Sequence, residues 1–332
     1  MPGSLHRRSF LALAAMMSLS GRALAAAPKV AALFAGKVDD NGFMQAGYEG
    51  LKLAESRLGV AVAFEQGVAP KPEDLTAALR KLAGSRPDLV IAHGGQNNAA
   101  AKTVAAEFPD IRFVVTQGNV TGPNLASYEV LQEHSAFLAG MLAGLTTRTG
   151  VVGHMSGIRV TPGLKGRAAY AAGVRYANLD AKVLTNFSGN QDDNALSKKI
   201  ASAMIAAKAD IIFTMLNAGR AGAIEACREG GVKQIGNVRD WTLVVPDVFV
   251  ASAFADAGRA LFNATEDLVQ ARLAVGQIRQ IGLESPEAVR LIIVPSVPAD
   301  VRSKVEAMAA EIAARRFEVP TEWQGEEFQN PA

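Results

Sequence analysis

One pattern recurs along the chain and limits what it can fold into: a short apolar run, a polar turn with glycine, and an amphipathic helix. The first copy has its apolar run at residues 29–35 and its turn and helix start at residues 39–50. Apolar runs at residues 89–92 and 210–214 begin later copies. This alternation predicts an α/β fold with mostly parallel sheets, in which ligands bind beyond the carboxyl ends of the strands.

The pattern fills two halves of the chain, whose 332 residues are enough for two lobes. We therefore predict two doubly wound parallel-sheet lobes with a ligand cleft between them. The first lobe is assigned residues 26–125 plus about 248–280, and the second residues 126–247 plus about 281–316. Residues 317–332 form a C-terminal tail that is expected to wrap one lobe.

The candidate ligand-binding side chains follow predicted strands. They are Asp40, Asn41, Phe43, Gln96, Asn97, Asn119, Asn217, Asp240 and Trp241. Aromatic faces can stack on a flat ring, while amides and carboxylates can donate to or accept from its edge. The set suits a flat, neutral, heteroaromatic small molecule, although a sugar would use the same groups.

Several of these residues also have a purely structural interpretation. Asp40 and Asn41 stand where helix N-caps are common, and a Phe in a first helical turn often belongs to the core. Arg220 and Arg239 are further candidates, but arginines near loops are usually solvated. His93 and His154 follow the same strands, yet two histidines with no nearby cysteine are weak evidence for a metal site.

The N-terminus has the features of an export signal. Arg7 and Arg8 precede an apolar segment at residues 11–19, and small residues up to Ala25 form a cleavage site. The arginine pair resembles a twin-arginine signal, with the general secretory route as the alternative. No later apolar run reaches the length of a membrane span. We therefore predict a periplasmic protein that is cleaved near Ala25.

The composition is that of a globular protein, with 49% hydrophobic and 20% charged residues. Removal of residues 1–25 leaves 31 of the 34 basic side chains against 32 acidic ones, so we expect no nucleic-acid partner. The single cysteine, Cys227, lies far from the cleavage site. It can form no disulfide within the chain, and we expect no lipid or other membrane anchor. A monomer is expected.

The sequence lacks the motifs of several common enzyme classes. It contains no GxxxxGKS/T, GxGxxG, GxSxG or HExxH segment. The sequence therefore does not indicate a P-loop phosphate site, a dinucleotide-binding site, a serine hydrolase or a zinc protease. We therefore predict a binding protein that is not an enzyme and needs no cofactor or metal. An exported enzyme of the same architecture is the less favoured alternative.

Short segments with a distinctive order are spread over nearly the whole chain after the signal. They are Asp40, Phe43, Gln45 and Tyr48 to Gly50; residues 108–110; residues 126–128 with Glu133 and residues 137–140; residues 148–151; and residues 224–232 leading to Ile235 and Gly236. Together they resemble the basic membrane protein family of ABC-transporter substrate-binding proteins. The resemblance implies a type I periplasmic-binding fold whose two lobes close over ligand, and docking on the transmembrane subunits of an ABC permease. The better understood members of the family bind purine nucleosides.

Two departures from the family pattern change the expected ligand. The family typically has Val-Asp-x-Asp-Gln after Ile-Gly, whereas this chain has Asn-Val-Arg-Asp-Trp at residues 237–241. The first acid of the family pattern resembles the residue that binds ribose hydroxyls, and Val238 stands in its place. Residues 251–255 lack the lysine that the family usually has there. We hypothesise a free purine-type base, such as guanine, xanthine or hypoxanthine. A purine nucleoside or a sugar is the alternative ligand, and sensing through a receptor is the alternative role.

Overall fold

The computed structural model describes residues 26–329 and residue 331, and it places two six-stranded sheets among them. Helices interleave the strands of both sheets, which confirms the predicted doubly wound α/β class. The predicted export signal at residues 1–25 lies outside the described residues. None of the described helices combines the length and the apolar character needed to cross a membrane.

Strands and helices alternate along the chain as the recurring pattern predicts. The strands are β1 (Lys29–Phe34), β2 (Ala61–Glu65), β3 (Leu89–His93), β4 (Arg112–Thr116), β5 (Leu125–Val130), β6 (Val151–Ser156), β7 (Lys182–Phe187), β8 (Ile211–Met215), β9 (Lys233–Val238), β10 (Phe249–Ala255), β11 (Ile278–Ile281) and β12 (Val289–Ile293). The helices are α1 (Phe43–Leu58), α2 (Pro72–Gly84), α3 (Asn98–Glu107), α4 (Gln132–Thr146), α5 (Thr161–Ala177), α6 (Asn194–Ala206), α7 (Arg220–Gly230), α8 (Trp241–Val244), α9 (Ala257–Val269) and α10 (Ala299–Ala313).

The two sheets have the same organisation. The first has the strand order β11-β5-β4-β3-β1-β2 and is parallel throughout. The second has the order β12-β10-β9-β8-β6-β7, and only β12 runs antiparallel to its neighbour. The central strands β3 and β8 are buried along their whole length. Helices cover both faces of such sheets, so these strands are apolar runs without polar alternation.

The chain crosses between the lobes at three places, and these differ from the lobe boundaries expected from the sequence. β5 belongs to the first sheet, so the first crossing follows Val130 rather than residue 125. β10 pairs with β9 and β12 in the second sheet, whereas the sequence-based assignment put residues 248–255 in the first lobe. α9 then packs on α1 of the first lobe, and α10 packs on α4 of the second.

Glycines allow a close contact between the helices α4 and α5 of the second lobe. A Cβ atom on Gly140 would lie 2.0 Å from the carbonyl oxygen of Tyr170, and one on Gly173 would lie 2.1 Å from that of Phe137. Real Cβ atoms do not approach a backbone oxygen this closely, so neither position has room for a side chain. The small residues of α4 and α5 at these positions therefore serve close packing.

The C-terminal tail lies along the exposed edge of the second sheet. The backbone N–H of Phe328 donates to the carbonyl oxygen of Thr185 in β7 at 2.7 Å. Glu327 forms an ion pair with Arg167 of α5 at 2.5 Å. These contacts cover part of an edge strand whose backbone groups would otherwise face solvent.

Candidate functional site

A cavity of about 750 Å³ lies between the two lobes, at the carboxyl ends of their strands. Residues that follow β1, β3 and β4 line it from the first lobe, and residues at the ends of β6, β7, β8 and β9 line it from the second. Its volume is typical of small-molecule sites. Four of the candidate side chains line it, namely Asp40, Phe43, Gln96 and Asn217.

Asp40 caps the start of α1 at the cavity wall. Its carboxylate accepts hydrogen bonds from the backbone N–H groups of Gly42, Met44 and Gln45 at 2.8, 3.1 and 3.0 Å. These N–H groups lie at a helix N-terminus, where no backbone partner is available. Burial raises the pKa of Asp40, and the three hydrogen bonds oppose that rise. Asp40 therefore has the structural role of a cap while it still faces the cavity.

Phe43 is the only aromatic side chain among the described residues that line the cavity. Its ring stacks on His93, with 4.2 Å between ring centroids and 21° between ring planes. His93 Nε2 donates to the carbonyl oxygen of Phe43 at 2.9 Å, which leaves Nδ1 to accept from the Thr116 hydroxyl at 2.8 Å. Burial lowers the pKa of His93 to about 4, so the imidazole is neutral near pH 7. His93 thus supports the Phe43 ring from behind.

Two glutamines offer amide groups to the cavity. Gln96 lies in the turn after β3, and Gln132 lies in the first turn of α4. Neither side-chain amide has a hydrogen-bond partner among the described residues, although Gln132 is only 5% exposed. Gln132 was not a sequence candidate; it follows β5, which the sequence-based lobe boundary at residue 125 did not place in the first lobe.

Asn217 connects the second lobe to the first at the cavity wall. Its Oδ1 accepts the backbone N–H of Phe43 at 3.4 Å. A Cβ atom on Gly42 would lie 2.5 Å from the same oxygen, so this approach requires glycine. The next backbone N–H, that of Ala218, donates to the Asp192 carboxylate at 3.1 Å. Asn217 is therefore fixed at a point where the two lobes meet.

Val238 gives the second lobe an apolar and strained wall. It lines the cavity with a φ of +67°, in the left-handed region that β-branched residues rarely adopt. Such a conformation costs on the order of 1–3 kcal/mol. Val238 forms a small apolar cluster with Ala46 and Ala257, against which Phe43 packs. Asp and Asn adopt this backbone conformation more readily than Val.

The structure places Trp241 behind β9 and not in the cavity, so the expected second stacking surface is not there. Its ring packs against Gly236, where a Cβ atom would lie 2.5 Å from the indole. The indole Nε1–H donates to the Asn237 carbonyl oxygen at 3.1 Å. The Arg220 guanidinium lies 4.6 Å from the ring centroid. Phe249 covers the ring as well, with 5.7 Å between centroids.

The remaining candidates also lie outside the cavity lining; they are Asn41, Asn97, Asn119 and Asp240. Asn97 is fully buried and donates to the carbonyl oxygens of the turn before it. Asn119 pairs with Asn98 at 2.8 Å on an exposed edge. Asp240 caps α8, and Asn41 is exposed. All four follow strands, as the sequence indicated, and the side chains of Asn97 and Asp240 stabilise the backbone turns next to them.

The charged side chains of the lining are mostly acidic. They are Lys37, Asp39, Asp40 and Asp192. Three carboxylates against one ammonium group disfavour an anionic solute. In the described part of the chain, no cluster of His, Cys, Asp or Glu is suited to hold a metal ion.

Ion pairs join the lobes outside the cavity. Lys165 of α5 contacts Glu129 of β5 at 2.5 Å and Glu133 of α4 at 3.2 Å. Arg239 contacts Glu49 of α1 at 3.2 Å. The first of these sites is largely buried, with 12% and 6% of the two carboxylate side chains exposed. It lies at the first crossing between the lobes.

Comparison with known proteins points to solute binding. Residues 27–322 match the family described as ABC transporter substrate-binding protein PnrA-like. Basic membrane protein A of Borreliella burgdorferi is 28% identical over 240 residues, which are 70% of each chain. Transcriptional activator protein med of Bacillus subtilis is 25% identical over 232 residues, which are 70% of this chain and 72% of that protein.

The fold is also that of solved solute-binding proteins. A solute-binding protein of an ABC transporter system from Aeropyrum pernix K1 superposes with a TM-score of 0.78 at 20% identity. The alignment covers 89% of this chain and 94% of that one. This likeness confirms the type I periplasmic-binding architecture that the sequence resemblance implied.

Proposed function

The chain belongs to the PnrA-like family of ABC transporter substrate-binding proteins, and we propose that the solute it captures is a free purine-type base. As a member of this family it binds a small molecule and delivers it to a membrane permease, and it catalyses no reaction. Proteins of this kind act in the periplasm or at the membrane. The proposed ligands are guanine, xanthine, hypoxanthine and similar heterocycles.

Val238 is the observation that carries the proposal. It stands where the family pattern has its first acid, it lines the cavity, and its side chain packs in an apolar cluster with Ala46 and Ala257. A valine can neither donate to nor accept from a ribose hydroxyl. A sugar placed against it would leave hydroxyl groups without partners, which costs about 1–3 kcal/mol for each buried group. This wall therefore favours a ligand without ribose.

Phe43 supports a flat ligand. Its ring lines the cavity and is held in place by His93 on one side. Stacking of a base on such a ring contributes roughly 1–3 kcal/mol. The side-chain amides of Gln96 and Gln132 can form hydrogen bonds with the edge of the base. Stacking together with such hydrogen bonds is consistent with a dissociation constant of about 1 μM.

The proposal includes a periplasmic monomer, cleaved near Ala25, that docks on the transmembrane subunits of an ABC permease. The arginine pair at residues 7 and 8 supports export. A second role is favoured by one comparison only. One relative is named as a transcriptional activator, and sensing through a receptor is therefore the second candidate role of this chain.

The test of the ligand class is Val238→Asp. Aspartate restores an acceptor for ribose hydroxyls and suits the left-handed backbone at this position. Calorimetric titration should show a gain in inosine and guanosine affinity of roughly 10-fold or more relative to hypoxanthine and guanine.

Val238→Ala is the matched control, because it removes the branched side chain without adding an acceptor. It should leave the ratio of base to riboside affinity unchanged. The proposal fails if the wild-type protein already binds ribosides tighter than bases, or if Val238→Ala and Val238→Asp have the same effect on that ratio.

A further inference from the structure

Arg220, at the start of α7, is a buried cation without a carboxylate partner among the described residues. Its guanidinium donates to the carbonyl oxygens of Thr214 and Leu216 and to the hydroxyl of Thr214. It also donates to Asn237 Oδ1 at 2.5 Å and lies over the Trp241 ring. Burial lowers the pKa of Arg220 to about 9, which leaves it charged near pH 7. A guanidinium has only donors, so every group around it must accept.

This arrangement fixes the orientation of the Asn237 side chain. Because Arg220 can only donate, the atom of Asn237 that faces it must be Oδ1. Asn237 lines the cavity, and its Nδ2 has no hydrogen-bond partner among the described residues. A rotation of the amide by 180° would place two donors against each other. The NH₂ group therefore stays directed away from Arg220, where the cavity offers the remaining space.

We propose that Asn237, oriented by Arg220, is a specificity-determining residue that donates a hydrogen bond to a carbonyl oxygen of the ligand. The proposal rests on the proposed function and narrows it to bases that carry an oxo group, such as hypoxanthine, xanthine and guanine. An exocyclic amine at the same place, as in adenine, would direct N–H groups at the NH₂ of Asn237. Neither partner could then accept, and both would lose their hydrogen bonds to water.

The charge of Arg220 strengthens this selection. A hydrogen bond from a cation to the amide oxygen polarises the amide, and this makes its N–H groups better donors in a site of low dielectric. Trp241 and the carbonyl oxygens hold the guanidinium in place, so the amide has no alternative partner to turn to. Arg220 acts through Asn237 and is a positioning residue in this account.

The decisive variant is Asn237→Asp. Aspartate still accepts from Arg220 and gives the buried cation a counter-charge, so the thermal midpoint should stay the same or rise. The atom that faces the cavity changes from a donor to an acceptor. Calorimetric titration should therefore show that hypoxanthine affinity falls by roughly 10-fold or more while adenine affinity rises, so that their ratio inverts.

Asn194→Asp is the matched control. Asn194 is exposed outside the cavity lining, and its Oδ1 accepts the N–H of Gly222 at 2.9 Å, so the same change of chemistry occurs away from the ligand. It should leave the hypoxanthine-to-adenine ratio unchanged. Arg220→Met, if it folds, frees the amide to rotate and should bring the ratio close to one.

The titrations include inosine and adenosine as a second pair that differs in the same oxo and amino groups. If the ribosides bind tighter than the bases, the proposed function fails. In that case the role of Asn237 is still supported if Asn237→Asp inverts the ratio of inosine affinity to adenosine affinity. The inference is overturned if the wild-type protein does not prefer the oxo member of the pair it binds, or if Asn237→Asp leaves that ratio unchanged. Absence of binding by all four compounds overturns both proposals.

Discussion

Lys165→Met is expected to destabilise the contact between the lobes. Lys165 is 25% exposed and contacts Glu129 and Glu133, whose side chains are 12% and 6% exposed. Removal of one partner from a fully buried ion pair costs about 3–5 kcal/mol, since the other charge is left uncompensated. Partial exposure reduces this value, and we expect about 2–3 kcal/mol near neutral pH. For a protein of this size the thermal midpoint should fall by about 4–9 °C.

The loss should shrink as the pH falls. Burial raises the pKa of Glu133 above its usual value, and Lys165 opposes this rise. Without the lysine the pKa of Glu133 rises further, so the folded variant takes up a proton at a higher pH than the unfolded chain does. An acid with a raised pKa in the folded state adds stability as the pH falls through that pKa. The difference from the wild-type protein should therefore be smaller at about pH 5 than at about pH 8.

Lys198→Met is the control for this prediction. Lys198 also contacts two glutamates, Glu225 and Glu229, but both of those side chains are 58% exposed. Exposed pairs contribute about 0–1 kcal/mol, so this variant should lose little stability at any pH. Thermal unfolding of both variants and of the wild-type protein at several pH values measures these losses of stability. Equal losses in the two variants, or a loss in Lys165→Met that does not depend on pH, would refute the reasoning.

Three further predictions concern the ligand, the helix packing and the pH response. Phe43→Ala should weaken ligand binding by roughly 10- to 100-fold in calorimetry because it removes the stacking surface, and an unchanged affinity would contradict that role. Gly140→Ala should lower the thermal midpoint by several degrees because its Cβ would meet the Tyr170 carbonyl at 2.0 Å, whereas Gly84→Ala has open space and should not. Burial lowers the pKa of His154 from 6.5 to about 3, so protonation of this side chain favours the unfolded chain below pH 6.5. On acidification His154→Gln should therefore lose stability less steeply than the wild-type protein, by up to about 1.4 kcal/mol per pH unit. Urea unfolding at several pH values measures this, and the same dependence of the unfolding free energy on pH in both proteins would contradict it.

Local patterns predicted the helices and strands well, because a strand that is buried on both faces of its sheet must be a continuous apolar run in the sequence. The apolar run at residues 29–35 became β1, the run at residues 89–92 became β3, and the helix start within residues 39–50 became that of α1 (Phe43–Leu58). The pairing of strands that are distant in the sequence produces no such local pattern. The sequence-based assignment put residues 248–255 in the first lobe, and only the folded chain shows that β10 lies beside β9 in the second sheet.

The same limit applies to the candidate site. Strand ends located the correct edge of the first sheet, and Asp40, Phe43 and Gln96 do line the cavity. The position of Trp241 depended on Gly236, whose missing side chain leaves room for the indole behind β9. Asn237 was passed over as a candidate because its importance comes from Arg220, which lies 17 positions earlier in the sequence.

The central claim is that the cavity binds a base and not its riboside. The most direct measurement is calorimetric titration of the ligand-free, wild-type protein with guanine, xanthine, hypoxanthine and adenine and with the corresponding ribosides. Our account predicts that the oxo bases bind, and that each binds tighter than its riboside because Val238 offers no partner to ribose hydroxyls. Tighter binding of the ribosides would contradict it.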